Sequence, residues 1–438
     1  MTFANGVTRA GDDLRKRSNK LKLYYRYKDS ILVRNVISLF SLKLISYLAS
    51  FLVVPYIARF LTKEEYGLYL IILSCLAIAG VITNYGLEMS GTYSIAINRD
   101  SKHHINSFVS NSIFIKIFLS VISCIVFNIY LFIFIDDEFG FLLFLLLNLL
   151  IFTQALFIPW FYQGIEKMSE ITKTGLISQV VYVLLVLLLL PLIPNILILL
   201  SLLLINHLIS VTVYIRTFYK HDYKLIKPTW EKSSEILKDG AGYFVSRLSV
   251  ATYTSMNVLF IGSITGSSQA AVYGSAEKVY KLIQNLLWPI NSALFPYISR
   301  TKKLGILLYT TAIMTALLLV AVTIIIYNAE LVMQLIFGDA YIVGADVLRK
   351  FMVLIVITYV SASIGYNALS VFDKIYLVNY TVYFGAVVHI IGVLSLVLLD
   401  KFSINNMLLW IIFVEIIILL LRSMLLLIVY TRSKKSAV

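Results

Sequence analysis

Long apolar stretches alternate with short polar loops through almost all of this 438-residue chain. A membrane-spanning helix needs about 20 mostly apolar residues. Twelve stretches meet that length, near 36–58, 66–90, 108–134, 141–162, 171–190, 196–215, 241–262, 272–295, 305–327, 347–370, 376–398 and 404–430. Each is about twice the length of a barrel strand, and the loops between them are short, which favours a helical bundle over a barrel. The pattern therefore predicts an all-α integral membrane protein of about twelve transmembrane helices.

The loops differ in charge from side to side. Of 37 Lys and Arg residues, 26 fall in the N-terminal arm, in every second loop and in the C-terminal tail, five lie in the intervening loops and six lie within apolar stretches. The positive-inside rule makes the basic side cytoplasmic and puts both termini there. Apolar residues form 60% of the chain and the formal net charge is +14. Basic loops facing anionic lipid headgroups account for that charge, so membrane lipids are the expected partners and nucleic acid is not. The basic arm over 9–28 lacks the apolar core and cleavage site of a signal peptide, and the first span is expected to act as a retained signal.

Residues 216–238, a basic polar segment with Pro228, leave six spans on either side. An even number per half gives both halves one orientation, as in parallel-repeat transporters. Two short matches share an offset of 207 residues: Tyr66-Gly67 with Tyr273-Gly274, and Glu166-Lys167 with Asp373-Lys374. The expected division is a basic arm (1–35), a six-helix lobe (36–218), a linker (219–238), a second six-helix lobe (239–430) and a basic tail (431–438). The Tyr-Gly pairs suit tight turns or close backbone approach, with Tyr in the interfacial belt.

Ionisable side chains inside a membrane usually face a cavity or a partner. They are Lys43, Glu88, Lys116, Arg247, Glu277, Lys278, Lys281, Glu415 and Arg422. Lys43, Lys116 and Arg247 each lie roughly seven or eight residues from the basic end of their span, near 10–12 Å deep at about 1.5 Å per residue. Helical spacing extends them into stripes: Ser112, Lys116, Ser120 and Ser123; Arg247, Thr254 and Asn257; Lys278, Lys281, Asn285 and Ser292, with Gln284 beside them. Such stripes serve either helix–helix hydrogen bonding or a solvated cavity, and the charged members favour the cavity. A cationic cavity suits an anionic substrate, because Arg grips phosphate oxygens bidentately and Lys acts as a compact charge. Glu277 and Lys281, at i and i+4, are placed to neutralise each other in part.

Other signals point to structure. Cys75 and Cys124 lie in apolar spans and read as small buried residues. His103-His104 lacks companion ligands and reads as a solvated loop. His207 and His389 read as buried hydrogen-bonding groups. Gly262 and Gly266 read as a loop at a span end. Asp136-Asp137-Glu138 reads as a charge cap on too short a loop for a glycosyltransferase. No Gly-rich phosphate loop is present in the sequence, which argues against ATP hydrolysis.

A series of ordered motifs resembles the Wzx-type O-antigen flippases, polysaccharide transporters of the multidrug/oligosaccharidyl-lipid/polysaccharide (MOP) superfamily. They are EEYGLY (64–69), NYGLEMSGTYSIAINR (84–99), NSIFIK (111–116), WFYQGIEKMSEIT (160–172), YFVSRLSVATYTSMNVLFIG (243–262), VYGSAEKVYK (272–281) and WPINSALFPYIS (288–299). The resemblance implies two six-helix bundles around a central cavity, alternating access, and an undecaprenyl-diphosphate-linked oligosaccharide as substrate in a bacterial inner membrane. It implies no enzyme activity and no cofactor, with a polysaccharide polymerase and a chain-length regulator as further partners. Lys43, Lys116, Arg247, Lys278 and Lys281 are the candidate substrate-binding residues. Glu88, between Gly86 and Gly91, is the candidate for coupling to an H⁺ or Na⁺ gradient. The rival readings are a membrane polymerase or lipid-dependent glycosyltransferase, and a cation exporter of the same superfamily.

Overall fold

The structure, a computed structural model, describes residues 53–135 and 140–435, and Lys43, most of the first span and the acidic triplet 136–138 lie outside them. Residues 53–60 are helical. The first half continues with α1 (Lys63–Asn84), α2 (Leu87–Ile97), α3 (Lys102–Phe134), α4 (Gly140–Ala155), α5 (Pro159–Gly164), α6 (Met168–Leu189) and α7 (Ile196–Lys220). The second half comprises α8 (Trp230–Thr254), α9 (Met256–Thr265), α10 (Ser267–Thr301), α11 (Leu304–Tyr327), α12 (Ala329–Phe337), α13 (Ala345–Ala362), α14 (Tyr376–Leu398) and α15 (Ile404–Lys435). A 3₁₀ segment, Asp339–Gly344, precedes α13, and a π-helical turn, Ser363–Ala368, extends it.

Among the described residues, eight helical segments are long and apolar enough to cross a membrane, or nine with the pair α8–α9, which bends by 44° at Ser255. Two further expected spans are not among these because they carry more charge. These are α10, with Glu277, Lys278 and Lys281, and α13, with Asp346, Arg349 and Lys350 in its first turns. Glu277 is buried while Asp346 is exposed and Lys281 partly exposed, and large apolar side chains such as Phe132, Phe141 and Leu398 are exposed, as a lipid-facing surface requires.

Local chemistry sets the helix ends. Thr62 and Glu65 form a reciprocal capping box at the start of α1. A second oxygen of Glu65 accepts the Ile196 N–H at 3.4 Å, tying the starts of α1 and α7 together. Pro159 opens α5, where its missing N–H is harmless. The expected span over 141–162 is borne out as one apolar segment, Gly140–Gly164, made of α4 and α5 with a break before Pro159.

The two matches offset by 207 residues mark recurring geometry. Glu166 and Asp373 both take the left-handed conformation, at φ 58° and 57°. Lys167 N–H donates to Tyr162 O, and Lys374 N–H donates to Leu369 O. Glu166 N–H donates to Gln163 O, and Asp373 N–H donates to Ser370 O. Each is the same helix-terminating turn, with its 6→1 bond. The Tyr-Gly pairs lie where α1 crosses α10, both tyrosines fully buried. Gly67 abuts the Ser267 carbonyl, and Gly274 abuts the Leu70 side chain.

Each half packs mainly on itself, and the principal contacts between halves run from α1, α2 and α3 to α8, α9 and α10. On the face opposite the basic loops, Ser263 Oγ donates to Tyr130 Oη at 2.8 Å, and Tyr66 meets Tyr341 edge-on. Gly262 corrects the sequence expectation: it is helical, and a Cβ there would lie 2.8 Å from Ile71 Cγ1, so its small size serves the α9–α1 contact. The linker also differs from expectation. Only residues 221–229 lie between helices, because α8 starts at Trp230. Charged residues beyond the bilayer read as loop even where they extend a helix.

Candidate functional site

The break between α1 and α2 organises the charged cluster. Tyr85 and Gly86 both have positive φ, 41° and 77°. A side chain at Gly86 would run into the Gly240 carbonyl, 2.8 Å from its Cβ, so glycine lets the break approach α8. Tyr85 then stacks on Phe244 of α8, ring centroids 4.4 Å apart and 14° from parallel.

Glu88 falls in the first turn of α2, where a carboxylate suits the helix dipole. Its Oε2 lies 3.4 Å from Arg247 Nη2 on α8, with the two side chains 53% and 56% exposed. Two residues singled out separately in the sequence are thus partners across the halves. Lys116 approaches the same break from α3. It is fully buried, and its amino group donates to Asn84 Oδ1 at 2.8 Å and to the Phe157 carbonyl at 2.6 Å. Phe157 lies in the gap between α4 and α5, where carbonyls lack intrahelical donors. The Lys116 ammonium supplies one and ties three helices together.

The whole α3 stripe follows suit. Ser112, Lys116, Ser120 and Ser123 are all buried, and Ser120 and Ser123 donate to carbonyls of their own helix. The solvated lining expected for this stripe is corrected: here it faces packed protein. Exposed cations lie instead on the second half. Lys281 is 38% exposed and pairs with the buried Glu277 at 2.9 Å. Lys278 is partly buried on the same helix. Both α8, which carries Arg247, and α10, which carries the lysine pair, pack on α1 of the opposite half.

Other expected features resolve into internal bonds. Arg422 donates to Thr381 Oγ1 at 3.1 Å, and to the carbonyl and hydroxyl of Ser361. His389 Nε2 lies 3.0 Å from Asn257 Oδ1, and His207 Nδ1 lies 3.2 Å from Thr153 Oγ1. Cys75 and Cys124 are buried and unpaired. Among the described residues, no group of three His, Cys, Asp or Glu is placed to hold a metal ion.

Sequence reasoning missed a polar ladder at the start of α3. Asn106 Oδ1 accepts Lys224 N–H, Ser110 Oγ accepts Ile226 N–H, and Asn111 Oδ1 accepts Thr229 N–H, at 3.0, 2.8 and 2.8 Å. Asn111 Oδ1 also accepts the Ser233 hydroxyl at 3.0 Å. The linker is therefore strapped to the first half. Its signal was the polar run Asn106, Ser107, Ser110, Asn111 on one helical face.

Comparison with known proteins fits this picture. Residues 32–302 match the family described as polysaccharide biosynthesis protein. A Shigella dysenteriae protein whose name proposes O-antigen transport is 25% identical over 391 residues, covering 88% of this chain and 98% of its own. An Escherichia coli K12 protein, similarly named, is 26% identical over 277 residues, covering 62% and 66%. A solved inward-facing multidrug-resistance MATE transporter of the MOP superfamily superposes with a TM-score of 0.68 at 14% identity, over 87% of this chain and 96% of that one. The fold is thus all-α and integral to the membrane, with about twelve transmembrane helices in two six-helix bundles around a central cavity. These matches agree with the resemblance to Wzx-type transporters carried by the sequence motifs. The chain is a multi-span membrane protein and belongs to the polysaccharide biosynthesis protein family.

Proposed function

We propose that this protein is a flippase, not an enzyme, that carries undecaprenyl-diphosphate-linked O-antigen or related repeat units from the cytoplasmic to the outer leaflet of a bacterial inner membrane. The observation that carries the reading is the set of cations on two helices of the second bundle, the half-exposed Arg247 on α8 with the partly buried Lys278 and Lys281 on α10, both helices packing on α1 of the first bundle. Their charges match a diphosphate, and Arg offers it a planar fork. Lys116 acts behind this wall by fixing the α1–α2 break on which Glu88 sits. Lys43 belongs to the set on its depth in the first span alone.

In this reading the basic face is cytoplasmic. The headgroup enters there, the glycan occupies the hydrated cavity, and the polyprenyl tail stays in lipid. Rocking of the bundles then exposes the headgroup on the other side. An H⁺ or Na⁺ gradient drives the return, and a polymerase and chain-length regulator take over the product. The names of the two bacterial relatives favour O-antigen among the substrates of this class.

The test is the fate of lipid-linked saccharides in cells lacking the gene. A complete diphosphate-linked repeat unit should accumulate on the cytoplasmic side, and Arg247→Ala at normal abundance should reproduce the defect. A truncated glycan would mean a glycosyltransferase. Single repeats reaching the outer face without chain growth would mean a polymerase.

A further inference from the structure

The Glu88–Arg247 pair differs in kind from the Glu277–Lys281 pair. Glu277 and Lys281 sit one turn apart on α10, and Glu277 is buried, so a ligand exchanging at Lys281 leaves the bundles as they were. Glu88 and Arg247 belong to opposite bundles. Both are more than half exposed, and a single oxygen–nitrogen approach of 3.4 Å joins them. Neither partner is locked in by desolvation, so an incoming anion can reach the guanidinium without first opening the protein.

We infer that Glu88 is an internal stand-in for the substrate's phosphate: its carboxylate occupies Arg247 in the unloaded protein and is displaced by the diphosphate headgroup. The inference rests on the assignment of Arg247 as a headgroup ligand made above. A carboxylate and a phosphate present the same kind of anionic oxygen to a guanidinium. The diphosphate carries more charge and can bind the fork bidentately, whereas Glu88 makes one long contact. The exchange also severs an ion pair between α2 and α8. The Tyr85–Phe244 stack then remains beside the break as an uncharged contact. Loading the substrate thus loosens a link between the bundles, which couples binding to their movement.

The experiment measures binding of undecaprenyl diphosphate to the full-length protein in lipid nanodiscs, with undecaprenol as the phosphate-free control. Glu88→Gln should bind the diphosphate about two- to fivefold more tightly, the scale of losing a half-exposed competing ion pair. Arg247→Gln should bind it about tenfold more weakly or worse, as expected for a lost charge-assisted contact. Adding Glu88→Gln to Arg247→Gln should change nothing further, and undecaprenol should bind all variants alike. If Glu88→Gln fails to tighten binding while Arg247→Gln still weakens it, the competition is wrong and the headgroup site stands. If Arg247→Gln binds normally, both fall. An equal gain for undecaprenol in Glu88→Gln would assign the effect to the tail and overturn the inference. Glu88→Ala repeats the test should the Gln variant fail to reach the membrane.

Discussion

Gly67→Ala should shift the equilibrium between conformers of this protein, and the direction follows from what the added methyl meets. A Cβ on Gly67 would lie 2.5 Å from the Ser267 carbonyl carbon and closer still to its oxygen. Carbon atoms pack favourably at about 3.5–4.0 Å, so α1 and α10 must separate by about 1 Å at their crossing. The obstacle is backbone at the start of α10, which has no rotamer to change. Overpacking of this kind costs about 1–3 kcal/mol. In a conformer whose α1–α10 crossing has opened, the clash is absent, and Ala in a helix interior is favoured over Gly by about 0.5–1 kcal/mol. The clash alone should therefore move the equilibrium toward opening of this face by about five- to 150-fold. Gly274→Ala is the control, because its Cβ meets the end of the Leu70 side chain, which can turn away. The assay is electron–electron double resonance between labels at Ile193→Cys, exposed in the loop between α6 and α7, and Tyr327→Cys, exposed at the end of α11, one in each half. Gly67→Ala should populate longer distances, and Gly274→Ala should do so much less. An unchanged distance distribution in Gly67→Ala would refute the argument that this crossing sets the closed face.

Two further predictions separate structural charges from accessible ones and test the linker strap. Lys116→Met leaves Asn84 Oδ1 and the Phe157 carbonyl without their donor and should lower unfolding stability in detergent by about 2–4 kcal/mol. Arg247→Met should lower it by less than about 1 kcal/mol, since its ion pair is half exposed; equal effects would contradict the burial assigned to Lys116. Asn111→Ala removes the acceptor of both Thr229 N–H and Ser233 Oγ and should speed tryptic cleavage after Lys224 severalfold, read by gel time course; wild-type cleavage rates would show that the ladder does not hold the linker.

Much of the architecture was legible because the apolar periodicity of a membrane helix is imposed by the bilayer and not by a particular neighbour. The terminating turns at Glu166 and Asp373 were legible as a matched offset, since a helix end is written in local residues. What could not be read is partnership across distance. Glu88 and Arg247 stood out one by one as costly intramembrane charges, yet nothing local pairs them over 159 positions. Lys116 matched its stripe, but besides Asn84 its acceptor is a backbone carbonyl freed by the helix break before Pro159, and a carbonyl has no sequence signature. Gly262 was misread as loop because its reason for being small is Ile71, on another helix.

The 44° bend at Ser255 and the strap at the other end give α8 a mechanical role. Its first turn is held by Asn111 of the first bundle, Phe244 and Arg247 further along meet Tyr85 and Glu88 of that bundle, and the helix also packs on α9 and α14 of the second. The linker, bonded at Asn106, Ser110 and Asn111, thus holds the start of α8 against the first bundle as a fixed joint and not as a slack tether.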